Sequence, residues 1–302
     1  MTTPVFIAYV LVVLLWSTTP LGIVWSAETV DPTMAVLLRM LIATCLGVVT
    51  LVVFNISFPR NKVAIKLYCF SSIGVFGGMM LSYIAARYLP SGTLSLVFGL
   101  APLISGLLSQ KILNEAPFSK LRKFALLVAI VGLGIVCSEK LFVDIDSWPG
   151  IICILLAVTT FSLSGVLVKT VQIQINPIAT TTGTLLISLP AFIAAWLITD
   201  GTLPFEKWSY RSIATIIYLG VLGSFFGFIA YYYILQKTTA TSVSLITLMT
   251  PALAMTLGSL LNNEPITSNL IIGASAIMIG LGLYLFGEKI THRFRYIYQR
   301  TL

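Results

Sequence analysis

The residues with chemistry to offer are few, and nearly all are uncharged. Arg39 is the one formal charge well inside an apolar run, a permanent cation whose fork of N–H donors suits a carboxylate. Hydroxyls and rings lie at the middle of other runs: Trp16 and Ser17 before Pro20, Ser95 and Phe98 before Pro102, Phe161 and Ser162, and Thr247 before Pro251. Tyr83 and Tyr232 close two further runs. Such groups bind a solute by hydrogen bonds and ring faces. They do not make a nucleophile, because no base stands near them in the chain and the sole histidine is His292, in the last stretch. No Asp or Glu falls at mid-run, which disfavours a proton relay through a buried carboxylate. Glu115 and Glu264 sit at the ends of runs, close to Pro117 and Pro265, where they would act as gates or mouths. The set fits a small neutral or zwitterionic ligand. Arg39 would attract its anionic end, and Trp16, Phe98 or Phe161 would face an apolar or ammonium part. Snorkelling of Arg39 to the headgroups is the competing reading. No metal, cofactor or enzymatic step is implied.

The elements that must position these groups are membrane spans. The 302 residues are 58% hydrophobic and 9% charged, against roughly 25% charged in soluble chains. Ten apolar runs reach the length of about 20 residues that an α-helix needs to cross the hydrocarbon core. Their approximate limits are 4–25, 32–54, 64–87, 91–110, 120–138, 148–168, 177–199, 212–235, 240–261 and 267–287. With both termini inside, thirteen of the eighteen Lys and Arg residues lie on the inner face and four on the outer, with Arg39 left within a span. The net charge of +8 therefore reflects topology and a basic tail that meets anionic lipid, not nucleic acid. The four cysteines lie within spans and lack metal spacing. The first run has no basic start and nine runs follow it, so it reads as an uncleaved first helix.

The chain repeats itself. Ser91, Ser95, Phe98, Pro102, Ser105 and Ser109 fall on Ala240, Ser244, Thr247, Pro251, Ala254 and Gly258 at an offset of 149 residues, and Asn114–Glu115 falls on Asn263–Glu264. Gly74, Gly78 and Tyr83 match Gly223, Gly227 and Tyr232 at the same offset. At an offset of 145, Trp16, Ser17 and Pro32 match Phe161, Ser162 and Pro177, while Arg39 meets Thr184. A run of matches at one offset marks an internal duplication. The expected organisation is a first five-helix repeat at 1–140, an external linker at 141–146, a second repeat at 147–288 and a basic tail at 289–302. Five spans per half make the second copy inverted. Each stripe of small and polar residues steps by three and four, so it shares one helix face and must meet another helix or a cavity. Pro20, Pro102 and Pro251 free backbone carbonyls at mid-span and are the candidate hinges.

The Trp-Ser-x-x-Pro of the first span, the arginine of the second, and the proline followed by Glu and Pro in both halves (Pro102, Glu115, Pro117; Pro251, Glu264, Pro265) resemble the drug/metabolite transporter superfamily, in its EamA-type ten-helix members. The resemblance covers nearly the whole chain. It implies an all-α membrane fold of two inverted five-helix repeats, a central cavity lined mainly by spans 1–4 and 6–9, and export of amino acids or related metabolites across the inner membrane by alternating access. The chain departs from the family at Asn114 and Asn263, where glycine is frequent. Partners implied are a small-molecule substrate and the lipid bilayer, with the chain a monomer or weak dimer. Efflux of amphipathic drugs is a second reading, and a non-transporting scaffold or an intramembrane enzyme a third.

Overall fold

Apolar runs cannot leave backbone N–H and C=O groups bare in lipid, so they close them internally as helices. The computed structural model describes residues 3–143, 147–199, 201–237 and 240–301. In chain order its long helices are α1 (Thr3–Ser26), α2 (Pro32–Val53), α3 (Lys62–Ala85), α4 (Ser91–Ile112), α5 (Lys120–Val143), α6 (Trp148–Lys169), α7 (Pro177–Thr199), α8 (Tyr210–Lys237), α9 (Ala240–Asn262) and α10 (Ser268–Thr301). Among the described residues, nine of them are long and apolar enough to span a membrane. The helix outside that count is α9, several of whose side chains fall outside the described residues. Among the described residues there are no strands.

Local chemistry sets the helix ends. Asp31 caps α2, accepting from the Thr33 backbone N–H at 2.8 Å and from its hydroxyl at 2.6 Å, with Pro32 in the first turn where its missing N–H costs nothing. Asn61 caps α3 by accepting from the Ala64 N–H at 2.8 Å. Inside α4 the helix breaks at Gly99–Leu100, three and two residues ahead of Pro102, whose ring displaces the carbonyl of Phe98. By contrast, α9 runs unbroken through Pro251, and α1 through Pro20.

Several local features recur at the offset of the sequence repeat. α3 carries a π-helical stretch at Gly74–Gly78 and α8 one at Leu219–Phe226. Gly78 packs on Phe161, and Gly227 packs on Trp16, where a Cβ would sit 3.2 Å from the indole Nε1. α4 and α9 end in the same way: Asn114 and Asn263 have φ of 53° and 51°, and the N–H of the following glutamate donates to Ser109 O at 3.3 Å and to Gly258 O at 3.2 Å. That left-handed turn suits asparagine, which, like glycine, enters it at low cost. Asn263→Gly is therefore expected to leave the melting temperature in detergent nearly unchanged. Asn263→Val should destabilise by about 1–2 kcal/mol, because a β-branched residue is the wrong shape for positive φ.

Packing divides the bundle. α5 and α10 lie chiefly against each other, so close that a Cβ on Gly132 would sit 2.7 Å from the Gly273 carbonyl oxygen and one on Gly280 2.8 Å from that of Ala125. The other eight helices surround the interior. α2 lies on α7, where Gly47 meets Thr182, and on the π stretch of α8; α3 lies on α6 and α7; α1 touches α8 and α9. Two main apolar clusters result. One is centred on α4, α6, α5 and α10, and the other on α2, α8 and the residues around Tyr83 and Phe192.

Candidate functional site: cavities in series through the bundle

The small and polar stripes meet around three cavities that share walls. The central one, about 70 Å³, is lined by Trp16, Thr19 and Pro20 of α1, Ser82 of α3, Ser95 and Phe98 of α4, Phe161 of α6 and Thr250 of α9, among others. Among the described residues none of its lining side chains is charged. Phe161 also bounds a second space of about 10 Å³, with Ser71, Ser164, Tyr231 and Tyr232. Tyr232 in turn bounds a vestibule of about 390 Å³, which opens among the exposed Lys169, Gln172 and Gln174. A further groove of about 460 Å³ lies apart, between α1, α8 and α9 near Trp25.

An aromatic septum separates centre from vestibule. Trp16 and Tyr231 have ring centroids 5.2 Å apart, and Phe161 lies 5.9 Å from each and 6.0 Å from Phe98. Offset and edge-to-face pairs of this kind contribute about 0.5–1.5 kcal/mol each beyond burial, enough to hold a door shut without locking it. Phe161→Ala should remove the ring shared by the first two cavities. A cysteine at Ser95 is then expected to react several-fold faster with a maleimide supplied from the Lys169 end.

The opposite end is closed by polar contacts. Glu264, just past α9, grips the start of α4: Oε1 accepts from the Ser91 N–H at 3.1 Å, and Oε2 from the Ser91 hydroxyl at 2.9 Å and the Gly92 N–H at 3.2 Å. A carboxylate on the free N–H groups of a helix start is favoured by both the hydrogen bonds and the helix dipole. Gly258 leaves room for it, since a Cβ there would lie 2.5 Å from Oε2. Asn262 steadies Glu264 at 3.1 Å and accepts from Trp25 Nε1 at 2.8 Å. The ion pairs Arg87–Asp31 and Arg211–Glu28 lie at the same end, with Asp31 half-buried and the other three groups exposed, and pairs open to solvent add little. Glu115 occupies the matching position at the Lys169 end. It is exposed, and its carboxylate makes no hydrogen bond among the described residues.

Arg39 is wholly buried, and among the described residues it is the only buried charge. Its Nε donates to Ser224 Oγ at 2.7 Å, while Nη1 and Nη2 have no partner. It is not among the residues that line the central cavity, although a Cβ on Gly223 would lie 3.4 Å from Nη2 and 3.6 Å from Oγ1 of Thr19, which does line it. Among the described residues no carboxylate pairs with it.

Of the other residues expected from sequence, Trp16, Pro20, Ser95, Phe98 and Phe161 meet at the central cavity, and Tyr232 lines the route to the vestibule. Ser17 and Ser162 turn away, donating to Val13 O at 2.6 Å and Ala101 O at 3.2 Å. Tyr83 is buried beside the wall and accepts from Ser26 Oγ at 3.2 Å. Pro102 and Pro251 are buried behind the lining, and the side chain of Thr247 lies outside the described residues. Ser82, Ser164 and Thr180 line the cavities without having been singled out. Ser164 stands two residues from Ser162, on the face whose hydroxyl reaches Phe70 O at 2.7 Å.

A helical membrane bundle with an uncharged central cavity, one end latched and the other open to a vestibule, is the architecture of a membrane transporter. The chain belongs to the EamA-like transporter family, which matches residues 3–138 and again 148–286. It is 26% identical over 293 residues to an uncharacterized transporter of Archaeoglobus fulgidus, covering 94% of this chain and 99% of that one. It is 24% identical over 285 residues to the uncharacterized transporter YoaV of Bacillus subtilis, covering 93% and 97%. Protein PagO of Salmonella typhimurium is 25% identical over 94% of this chain and 93% of its own length. A solved crystal structure resembles the fold with a TM-score of 0.66 at 14% identity, over 94% of this chain and 98% of that one.

Proposed function

We propose that this chain is a secondary transporter that exports small zwitterionic metabolites, amino acids first among them, across the inner membrane. The two halves, 1–140 and 147–288, would act as inverted repeats that exchange conformations, with the Lys169 end cytoplasmic by the excess of basic residues there. The closed Glu264 end and the vestibule at the other then correspond to a molecule turned inward. The observation that carries the choice of substrate is the charge at the centre. The sole buried charge among the described residues is a cation with two unpartnered Nη groups, behind a neutral wall of hydroxyls and rings. A carboxylate complements that field and a cationic drug does not, which sets amino acids ahead of drug efflux.

Proteoliposomes loaded with labelled amino acids, with and without a pH gradient, test the proposal. Counterflow of at least one neutral amino acid is expected. Transport of cationic dyes in place of amino acids would overturn the substrate class. Proton movement with each turnover would require a carboxylate relay that the central lining lacks.

A further inference from the structure

The central cavity of about 70 Å³ falls well below the roughly 300–1,000 Å³ usual for a small-molecule site, whereas the vestibule, at about 390 Å³, falls within it. In this conformation the centre is shut and the vestibule is the place where a solute fits. We infer that the vestibule is a separate loading site, in which Lys169 takes the carboxylate of a zwitterionic solute before the septum opens. The inference rests on the zwitterion reading above and adds a second site to it.

The walls have the composition such a site needs. Lys169 ends α6, lines the space and forms no hydrogen bond or ion pair among the described residues; Glu115 acts on it only at a distance, through its field. Across from it Thr180 is 1% exposed, yet its Oγ1 has no partner, an unsatisfied hydroxyl in the wall of a cavity large enough to hold its acceptor or donor. Leaving such a group bare costs about 1–3 kcal/mol, which a bound solute or water would recover. Gln172 and Gln174 supply amide oxygens that can receive an ammonium group, and Gln236 is fixed by donating to Ile175 O at 2.7 Å. Tyr232 belongs both to this site and to the space under the septum, so a solute held here is already next to the door.

A lysine at the cytoplasmic end of a span is also what topology alone would place there. What separates the readings is the cavity, since a merely topological lysine has no reason to share one with the unpartnered Thr180.

The test uses inside-out membrane vesicles, which present the Lys169 end to the medium, and initial rates for labelled leucine and phenylalanine. Lys169→Gln is expected to raise KM for both about fivefold, the size of one partly exposed ion pair, with kcat unchanged. Lys169→Arg should restore KM, and Thr180→Val should raise it without touching expression. Wild-type transport of both amino acids with an unaltered KM in Lys169→Gln would overturn the loading site and leave the exporter reading standing. A fall in kcat with KM unchanged, not rescued by Lys169→Arg, would show a structural lysine and overturn it too. Failure of the wild type to move either amino acid would instead overturn the zwitterion reading on which both depend.

Discussion

Glu264→Gln is expected to raise the labelling of a Ser95→Cys reporter from the outer face about tenfold, in a background where Cys45, Cys69, Cys137 and Cys153 are replaced. Ser95 lines the central cavity, and what separates it from the outer face is the grip of Glu264 on the first two residues of α4. Hydrogen bonds to a charged group contribute about 1.5–3 kcal/mol, and losing the charge also loses the helix-dipole attraction, so a shift of one to two powers of ten between closed and open is reasonable. Gln keeps the shape but places an amide N–H against the Gly92 N–H. Glu115→Gln should act in the opposite sense. Glu115 follows α4 through the same left-handed asparagine turn and stands at the matching mouth with no hydrogen bond to its carboxylate among the described residues. In the proposed outward state its partner would be the start of α9, as the start of α4 is for Glu264. Removing its charge then disfavours the outward state and lowers labelling from outside. A rise with both variants, or no change with Glu115→Gln, would mean that Glu264 is a static cap.

The places of the two glutamates were legible because they are written twice, whereas the grip of Glu264 on the start of α4 was not. Asn114–Glu115 and Asn263–Glu264 repeat at one offset, and a glutamate after a helix end, two residues or fewer from a proline, has a restricted choice of partners. Span limits were legible for a similar reason, since the bilayer fixes their length: the run expected at 177–199 is the helix Pro177–Thr199, and that at 91–110 is Ser91–Ile112. Facing was harder to read. A period of 3.6 residues assigns Ser17 to the face of Trp16 only loosely, and its hydroxyl finds a closer acceptor in Val13 O, one turn back. The π stretches at Gly74–Gly78 and Leu219–Phe226 add to this. Each extra residue in a turn rotates everything beyond it by about 100° relative to an α-helical wheel. Ser82 thereby lines the cavity while Tyr83, whose repeat was the stronger signal, lies behind the wall. Arg39 lies in α2, where its run places it, but its approach to Gly223 of α8, whose Cβ would sit 3.4 Å from Nη2, is a long-range contact that no local pattern announces.

Arg39→Leu, made together with Ser224→Ala, is expected to abolish transport while stabilising the protein. Lone buried charges are costly, and this one has an acceptor only for Nε. Replacing buried ionic groups with packed apolar ones has raised stability by about 1–4 kcal/mol in other proteins, so a higher melting temperature in detergent is the expected sign. The second substitution is needed because leucine would leave the Ser224 hydroxyl without the guanidinium it now meets. Transport should fall about a hundredfold or more, the equivalent of one charge-assisted hydrogen bond to a substrate carboxylate. Glycines on either side make the approach feasible: Gly220 and Gly223 let the π stretch of α8 lie directly on α2, and a one-residue shift of that stretch would expose the Nη groups to the cavity side of Thr19. A snorkelling or purely structural arginine predicts the reverse pattern, with lower stability and transport reduced only in proportion to folded protein. The two measurements on one variant therefore separate a charge kept for the solute from a charge kept for the fold, and a fall in melting temperature with transport retained would remove Arg39 from the mechanism.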